Sequence, residues 1–276
     1  MSPALIVITL AAAIVNGALG YGFSSITVPL ALLFLTNRLL NPAIVLIEVV
    51  LNAYVLWVNR AALPLVWRRT RPIIVGLAPG IVLGTLVVAQ VHPGWLRFGT
   101  FVVLLPLVLL QAAGYRRPIE SEGPAGLAFG VGLGTLYSIT TISGPPLAAA
   151  LTNQGLSKHE FRAALGAVRL AESTMTAVSY LAGGLVTVGS LGLIPQMLPG
   201  VIVGVPIGGF VIRHIRPDTF RRVCMSFDAW IVSFGISTLL RQLRLIPGSS
   251  AYAFMAAVIL LDGWMLVRFF ARQPRR

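Results

Sequence analysis

The stretch Gly20-Tyr-Gly-Phe-Ser-Ser-Ile-Thr-Val-Pro29 interrupts the first long apolar part of the chain. A second interrupted stretch, Ser138-Ile-Thr-Thr-Ile-Ser-Gly-Pro-Pro146, follows later in the chain. Because glycine and proline break or weaken helices, each stretch predicts two short helical segments separated by a break. Both stretches also carry serine and threonine hydroxyls beside the break. The segments around the two breaks recur in the same order along the chain. The breaks therefore mark two similar halves, which define the predicted architecture.

The composition is that of a protein in a lipid bilayer. Apolar residues make up 57% of the 276 residues, charged residues only 11%, and the mean hydropathy is +0.88. A soluble domain carries about 25% charged residues, and a soluble chain this apolar has too few polar groups to cover its surface. We therefore predict an all-α integral membrane protein. Its apolar segments lie at about 3–19, 22–36, 43–59, 72–91, 98–113, 125–142, 144–155, 163–183, 190–212, 223–240 and 250–270.

The positive charges orient these segments. The net charge is +13, and Lys and Arg fall in short clusters between apolar segments, as in cytoplasmic loops of membrane proteins. No basic stripe with interleaved aromatic residues indicates nucleic-acid binding. With the clusters inside, sixteen of the 21 Lys and Arg residues are cytoplasmic, and Arg169 lies within the membrane. The clusters are 60–71, 116–117, 158–162, 213–222 and 268–276.

Four landmarks recur in order in the two halves, at offsets of 117 to 124 residues. The two longest are Ala43-Ile-Val-Leu-Ile-Glu48 with Ala167-Val-Arg-Leu-Ala-Glu172, and Pro79-Gly-Ile-Val-Leu-Gly84 with Pro199-Gly-Val-Ile-Val-Gly204. The other two are Pro29-Leu30 with Pro146-Leu147, and Pro93 and Phe98 with Pro217 and Phe220. Shared membrane composition is the alternative explanation, but it does not account for the common order. An internal repeat is therefore predicted.

The charge pattern gives the two copies opposite orientations. We predict two inverted repeats of about four helical segments each, with broken or re-entrant hairpins, plus one extra C-terminal transmembrane helix. The predicted parts are the first transmembrane repeat at 1–113, a cytoplasmic linker at 114–124, the second repeat at 125–240, a final helix at 249–270 and a basic cytoplasmic tail at 271–276.

The paired breaks predict a binding site for a small anion near the bilayer midplane. Interrupted segments at corresponding positions of two halves point to the site, because half-helix N-termini carry partial positive charge and free N–H groups. The alternative is that Gly and Pro only kink tightly packed helices. The candidate substrate-binding residues are Gly20, Gly22, Ser24, Ser25, Thr27, Ser138, Thr141, Ser143, Gly144 and Arg169.

Glu48 and Glu172 occupy equivalent positions in the two halves, and both are candidates for a coupling or proton site, since intramembrane carboxylates are costly. Arg169 lies three residues before Glu172, on the same helical face. It is either part of a structural ion pair or a ligand of the anion. Glu48 either carries a proton or pairs with Arg169 across the two halves. Asp228, also in an apolar run, is either a further proton site or a helix-packing group.

No enzyme site is visible in the sequence. His92, His159 and His214 are far apart and lack metal-ligand spacing, and no Walker A motif is present. The single cysteine, Cys224, excludes an intrachain disulfide and a cysteine metal cluster. We therefore predict a protein that is not an enzyme and has neither a metal site nor a cofactor.

Three short motifs resemble the TauE/SafE sulfite exporter family, also called the toluene-sulfonate uptake permease superfamily. They are Gly20 and Gly22 followed by Pro29, Ser143-Gly-Pro-Pro146, and Phe161-Arg-Ala163. Their order and spacing carry the resemblance, which covers nearly the whole chain. Many members show a fuller Gly-Gly run where Phe23, Ser24 and Ser25 stand here.

The resemblance implies a secondary transporter of sulfite, organosulfonates or related small anions in a bacterial-type plasma membrane (inner membrane). We expect an exporter working by alternating access, because a negative-inside potential favours anion exit by about 2.3 kcal/mol per charge per 100 mV. A coupling proton and a homodimer are further expectations. The alternative is an anion channel, or a carrier of a non-sulfur organic anion on the same scaffold.

Overall fold

The structure is a computed structural model that describes residues 3–112, 123–152, 156–211, 214, 217–246 and 248–271. Every secondary-structure element within those ranges is helical, which confirms the all-α prediction. The first half contains α1 (Pro3–Leu19), α2 (Phe23–Ala31), α3 (Asn37–Asn59), α4 (Leu63–Gln90) and α5 (Pro93–Ala112). The second contains α6 (Pro124–Thr140), α7 (Gly144–Thr152), α8 (Lys158–Ala182), α9 (Val188–Leu191), α10 (Ile194–Val211) and α11 (Pro217–Gln242), and α12 (Tyr252–Ala271) follows.

Within the part of the chain that the structure describes, four stretches are long and apolar enough to cross a membrane: Asn37–Gln90, Val188–Val211, Arg222–Gln242 and Gly248–Ala271. The first of them contains both α3 and α4, and Pro3–Leu19 is a shorter apolar helix. In the last of these stretches, only 11% of an apolar segment of 18 residues is buried inside the protein. This helix therefore presents most of its surface outward. Apolar side chains on such a surface are suited to contact lipid.

Two basic segments predicted as loops, 60–71 and 213–222, contain helix in the structure. The predicted loop 60–71 consists of a 3₁₀ turn at Arg60–Ala62 and the first turns of α4, which includes Arg68, Arg69 and Arg71. Hydropathy detects only the apolar part of a helix. Because the first turns of α4 carry arginines, the segment predicted to start at 72 starts at Leu63. The predicted clusters at 116–117 and 272–276, Arg213 and Arg216 lie outside the described residues.

Arg222 corrects the prediction that the cluster 213–222 lies in a loop. It belongs to α11, is 3% exposed, and pairs with Asp262 of α12 at 2.9 Å. Its guanidinium also donates to Ser226, and the Trp230 indole N–H donates to the second oxygen of Asp262 at 3.1 Å. A buried ion pair needs such additional hydrogen bonds to offset its desolvation. The ion pair of Arg222 and Asp262, together with these hydrogen bonds, attaches α12 to α11.

The contacts between helices define their directions. Asn59, at the end of α3, lies 3.3 Å from His159 at the start of α8, so α3 and α8 run antiparallel. Arg38, near the start of α3, donates to the carbonyls of Val88 and Ala89 at the end of α4. Helices α3 and α4 are therefore also antiparallel. We call the end of the bundle with Arg60 and the start of α8 the basic end, and the other the opposite end.

Helix α8 starts at the basic end with a well-defined cap. The Ser157 side chain accepts from the backbone N–H of Glu160, and the Glu160 carboxylate accepts from the backbone N–H of Ser157 at 2.7 Å. This reciprocal arrangement satisfies two orphan donors. The bond from the Ser157 backbone lowers the pKa of the exposed Glu160 carboxyl. The cap fixes the start of the helix that carries Arg169 and Glu172.

The two most extensive helix pairings, α4 with α6 and α1 with α10, are built on glycine. A Cβ on Gly80 would collide with the Val131 carbonyl, and a Cβ on Gly208 with the Ile14 carbonyl. Small residues allow backbones to approach this closely. Both pairs are parallel, because positions further along one helix meet positions further along its partner.

The hairpins start and end at the same end of the bundle. A Cβ on Gly189 of α9 would lie 3.0 Å from Leu39, so α10 starts near the opposite end. Helix α1 runs parallel to α10, and α3 also starts at the opposite end, so the α1–α2 hairpin opens there. Helix α6 runs with α4 away from the basic end, where α8 starts, so the α6–α7 hairpin opens at the basic end.

Candidate functional site

The site is centred where α3 and α8 cross. Glu48 is the twelfth of the 23 residues of α3, which places it roughly 16 Å from either end of the helix. Arg169 and Glu172 lie near the middle of α8. Each of these three side chains is at most 1% exposed. Three ionisable groups are thus buried together near the middle of these two helices.

Glu48 forms an ion pair with Arg169 across the two halves. The Arg169 Nη2 atom lies 2.7 Å from one oxygen of Glu48, and the Tyr137 hydroxyl donates to the other at 2.7 Å. The predicted pairing of Glu48 with Arg169 is thus present, while binding of an anion by Arg169 stays a prediction. Sequence reasoning missed Tyr137, although a tyrosine in an apolar segment next to a break requires a partner for its hydroxyl.

The backbone of α8 is held at the same place. Asn52, one turn after Glu48, donates to the Arg169 carbonyl at 3.3 Å, and Ser173 donates to the same carbonyl at 2.8 Å. These bonds fix α8 against α3 beside the ion pair. The guanidinium therefore has a defined position, which a binding site requires.

The Arg169 guanidinium retains free donors. Its Nε and Nη1 atoms are buried and have no hydrogen-bond partner within the described part of the chain. A buried donor left unpaired costs about 1–3 kcal/mol. Charge-assisted bonds from Arg to an oxyanion are among the strongest that proteins make. The free atoms are thus suited to bind an anion.

The two breaks meet at this guanidinium. A Cβ on Gly144, in the second break, would lie 2.7 Å from Arg169 Nη1 and 3.1 Å from the Tyr21 ring of the first break. Only a glycine leaves this space to the guanidinium and the tyrosine. Gly144 of the second break and Tyr21 of the first break therefore lie next to each other, and Gly144 lies beside Arg169.

The first break supplies further donors. Gly22, at a φ of +105°, precedes α2, whose first turn lacks a side-chain cap. Its initial backbone N–H groups are therefore open to an anion. The hydroxyls of Ser24, Ser25 and Thr27 are buried and without a partner among the residues described. The first break thus combines a helix N-terminus with three available hydroxyls.

The second break uses its polar groups internally, unlike the first. Ser138 donates to the Gly134 carbonyl and Thr141 to the Thr140 carbonyl. Tyr180 and Asn41 cap the Ser138 and Ile139 carbonyls. In addition, Pro145 and Pro146 at the start of α7 have no N–H to offer. Ser138 and Thr141 therefore stabilise the shape of the second break, and their binding of substrate stays a prediction.

Glu172 has surroundings different from those of Glu48. Its Oε2 accepts a hydrogen bond from Ser143, and its Oε1 is buried without a partner in the described ranges. Arg169, one turn earlier, points instead to Glu48. A carboxyl held by a neutral hydroxyl can exchange a proton without breaking an ion pair. Glu172 is therefore better suited to proton exchange than Glu48.

A cavity of about 400 Å³ leads toward this cluster from the basic end. It lies between α1, α3 and α10, and reaches Gly20 of the first break and Leu51, one turn from Glu48. Arg162 lines it and donates to the Ala18 carbonyl at the end of α1, at 3.3 Å. A cation on the wall of such a cavity attracts anions from solution.

The two remaining acidic residues of the apolar segments have separate surroundings. Asp262 is the partner of Arg222 in the α11–α12 contact. Asp228 is 1% exposed in α11, and its Oδ2 has no partner among the residues that the structure covers. Asp228 retains both of its predicted alternatives.

Comparison with known proteins gives one family. The model of the family described as Sulfite exporter TauE/SafE matches residues 5–234. This range includes both breaks, Glu48, Arg169 and Glu172, and ends within α11, before α12. No curated protein and no solved structure matches the chain.

Proposed function

Since the chain belongs to the sulfite exporter TauE/SafE family, we propose that this membrane transporter carries sulfite, organosulfonates or similar small sulfur-containing anions. The observation that carries the proposal is the set of free donors around Arg169. Sulfonate groups and the sulfite dianion present only acceptor oxygens. The unpaired guanidinium atoms, the open N-terminus of α2 and the hydroxyls of Ser24, Ser25 and Thr27 are all donors.

We further propose that the two halves are inverted and that the basic end is cytoplasmic, in a bacterial-type plasma membrane. Helix α1 of the first half corresponds to α6 of the second, and α4 corresponds to α10. The α1–α10 and α6–α4 pairings are therefore equivalent, and both are glycine-rich and parallel. The hairpins open at opposite ends of the bundle. These features support alternating access around Arg169, and the positive-inside rule supports the orientation.

In this mechanism Glu48 and Glu172 have different roles. Glu48, with Tyr137, holds the guanidinium in place, while Nε and Nη1 of Arg169 contact the anion. Glu172 exchanges a proton when transport is coupled. With Glu172 ionised, the two carboxylates outnumber the single guanidinium by one charge, so an arriving anion makes the site more negative still. Proton uptake by Glu172 compensates one such charge.

Purified protein in liposomes tests the proposal. Loaded with sulfite, organosulfonates, sulfate and a non-sulfur organic anion in turn, the vesicles should show saturable flux and counterflow for sulfur anions. The double variant Glu48→Gln/Arg169→Gln is the matched control, because it removes the anion ligand together with its partner charge. Absence of flux for every sulfur anion in both directions would contradict the proposal. Flux that neither saturates nor shows counterflow would favour a channel.

A further inference from the structure

One pair of equivalent contacts shows how the two halves differ. The alignment of Glu48 with Glu172 makes Val55 the counterpart of Ser179, and that of Gly84 with Gly204 makes Thr85 the counterpart of Val205. In a protein with inverted halves, equivalent contacts that differ between the halves indicate which side is open. Thr85 with Ser179, and Val205 with Val55, are such equivalents.

The contact is closed toward the opposite end. The Ser179 hydroxyl donates to Thr85 at 2.9 Å, and α4 packs extensively along α8. A Cβ on Gly183 would lie 3.6 Å from the Thr85 methyl group, so the packing continues to the end of α8. These contacts hold α4 and α8 together at this level.

The equivalent contact is open toward the basic end. Val55 and Val205 both line the cavity of about 400 Å³, and their helices α3 and α10 meet only marginally. Helix α3 corresponds to α8, and α10 corresponds to α4. The cavity thus separates α3 from α10 at the position where α8 and α4 pack against each other.

Two equivalent arginines show the same difference. Arg38 is the counterpart of Arg162 at the same offset as the glutamates. Arg38 donates to Val88, Ala89 and Val91 at the end of α4, at 2.6 to 3.1 Å, and so ties α3 to α4. Arg162 instead lines the cavity and donates to Ala18 of α1. The hydrogen bonds of Arg38 thus join α3 to α4 at the opposite end, whereas Arg162 at the basic end bonds to α1 instead of α10.

We propose that the cavity between α1, α3 and α10 is the cytoplasmic pathway of the anion, and that transport closes it by bringing Val55 against Val205 while Thr85 separates from Ser179. The structure is then the inward-facing state. In the outward-facing state Arg162 binds the carbonyls of Gly208 and Gly209, the counterparts of Val88 and Ala89. The inference rests on the proposed transport function, to which it adds the two pathways and their closing residues.

Paired cysteines in a Cys224→Ala background test this inference, with cross-linking as the first readout and sulfite flux in liposomes as the transport readout. Thr85→Cys with Ser179→Cys should form a disulfide readily under mild oxidation, because the two side chains already touch. Val55→Cys with Val205→Cys should form one only slowly, as the protein visits the other state. Each disulfide should lower transport at least about tenfold, since it removes one of the two states. Reduction should restore it, and the reduced variants control for folding.

Accessibility gives an independent measurement. An impermeant thiol reagent should label the single Val55→Cys variant from the cytoplasmic side, and the Thr85/Ser179 disulfide should leave that labelling intact. The Val55/Val205 disulfide should instead make a cysteine at Thr85 reactive from outside. The inference is overturned if transport is active and both cross-linked proteins retain it. Loss of all sulfur-anion flux with the expected cross-linking and labelling would refute the proposed cargo and leave this motion supported.

Discussion

Arg169 and Glu48 stabilise each other at the centre of the protein. Removing one partner leaves the other charge buried and unpaired, which costs about 3–5 kcal/mol. We therefore expect Arg169→Gln and Glu48→Gln each to lower the unfolding free energy in detergent by that amount. The double variant should regain most of the loss, because two amides can hydrogen-bond without a charge. Losses in the double variant that equal the sum of the singles would show that the two charges are not coupled.

Gly144 provides the space in which the guanidinium lies. We expect Gly144→Ala to weaken anion binding at least about tenfold, because its Cβ would lie 2.7 Å from Arg169 Nη1 and displace a ligand whose geometry matters. The measurement is a binding titration with sulfite. Gly132→Ala is the control, since a Cβ there meets nothing within 4 Å. Equal affinities in both variants would place the anion elsewhere.

Glu172 is the residue that we expect to set the pH dependence of transport. Glu172→Gln keeps an acceptor for Ser143 but cannot exchange a proton. With an organosulfonate as cargo, whose charge does not change near neutral pH, its flux should be nearly independent of pH, whereas the wild-type flux should change with pH. Ser143→Ala is the companion variant, and it should move the pH profile without flattening it. A Glu172→Gln profile that follows the wild type would remove this residue as the coupling group.

At the level of helices, glycine determines how closely the pairs pack. Gly208 and Gly209 are neighbours in α10, but a Cβ on Gly208 meets the backbone of α1, whereas one on Gly209 meets nothing within 4 Å. Gly208→Ala should therefore destabilise the protein by about 1–3 kcal/mol through overpacking. Gly209→Ala should be neutral or slightly stabilising, because alanine favours helix. Thermal unfolding of both purified variants measures the difference, and equal melting temperatures would contradict the close packing.

The sequence predicted the existence of the helices better than their ends. Apolar length located α1 at its observed bounds of 3–19, because it starts and ends with its apolar run. Helix α4 starts at Leu63 rather than at 72, since its first turns carry arginines that hydropathy excludes. For the same reason Arg222 was assigned to a loop. Its partner Asp262 lies 40 residues away in sequence, and a pair of this kind has no local signal.

For the whole molecule, the repeat predicted which residues meet but not how the halves differ. Equivalent glutamates indicated a common centre, and Glu48 and Glu172 are both buried there. The cation is not duplicated, because the counterpart of Arg169 is Val45. Tyr137 of α6 donates to Glu48, and Ser143 in the break between α6 and α7 donates to Glu172, so Arg169 turns to Glu48 in surroundings that two separate segments provide. Pairwise choices of this kind depend on tertiary packing, so the sequence left them open.

The inverted arrangement itself gives the last prediction. Ala61 and Leu185 are counterparts at the offset of 124 residues that relates Glu48 to Glu172. Ala61 lies at the basic end, in the turn between α3 and α4, and Leu185 follows α8 at the opposite end. In a Cys224→Ala background, Ala61→Cys should react with an impermeant thiol reagent only from the cytoplasm, and Leu185→Cys only from outside. Labelling of both from one side would mean a parallel duplication, in which equivalent residues share a side of the membrane. Opposite labelling requires the halves to be inverted, because no rotation about the membrane normal carries a residue across the bilayer.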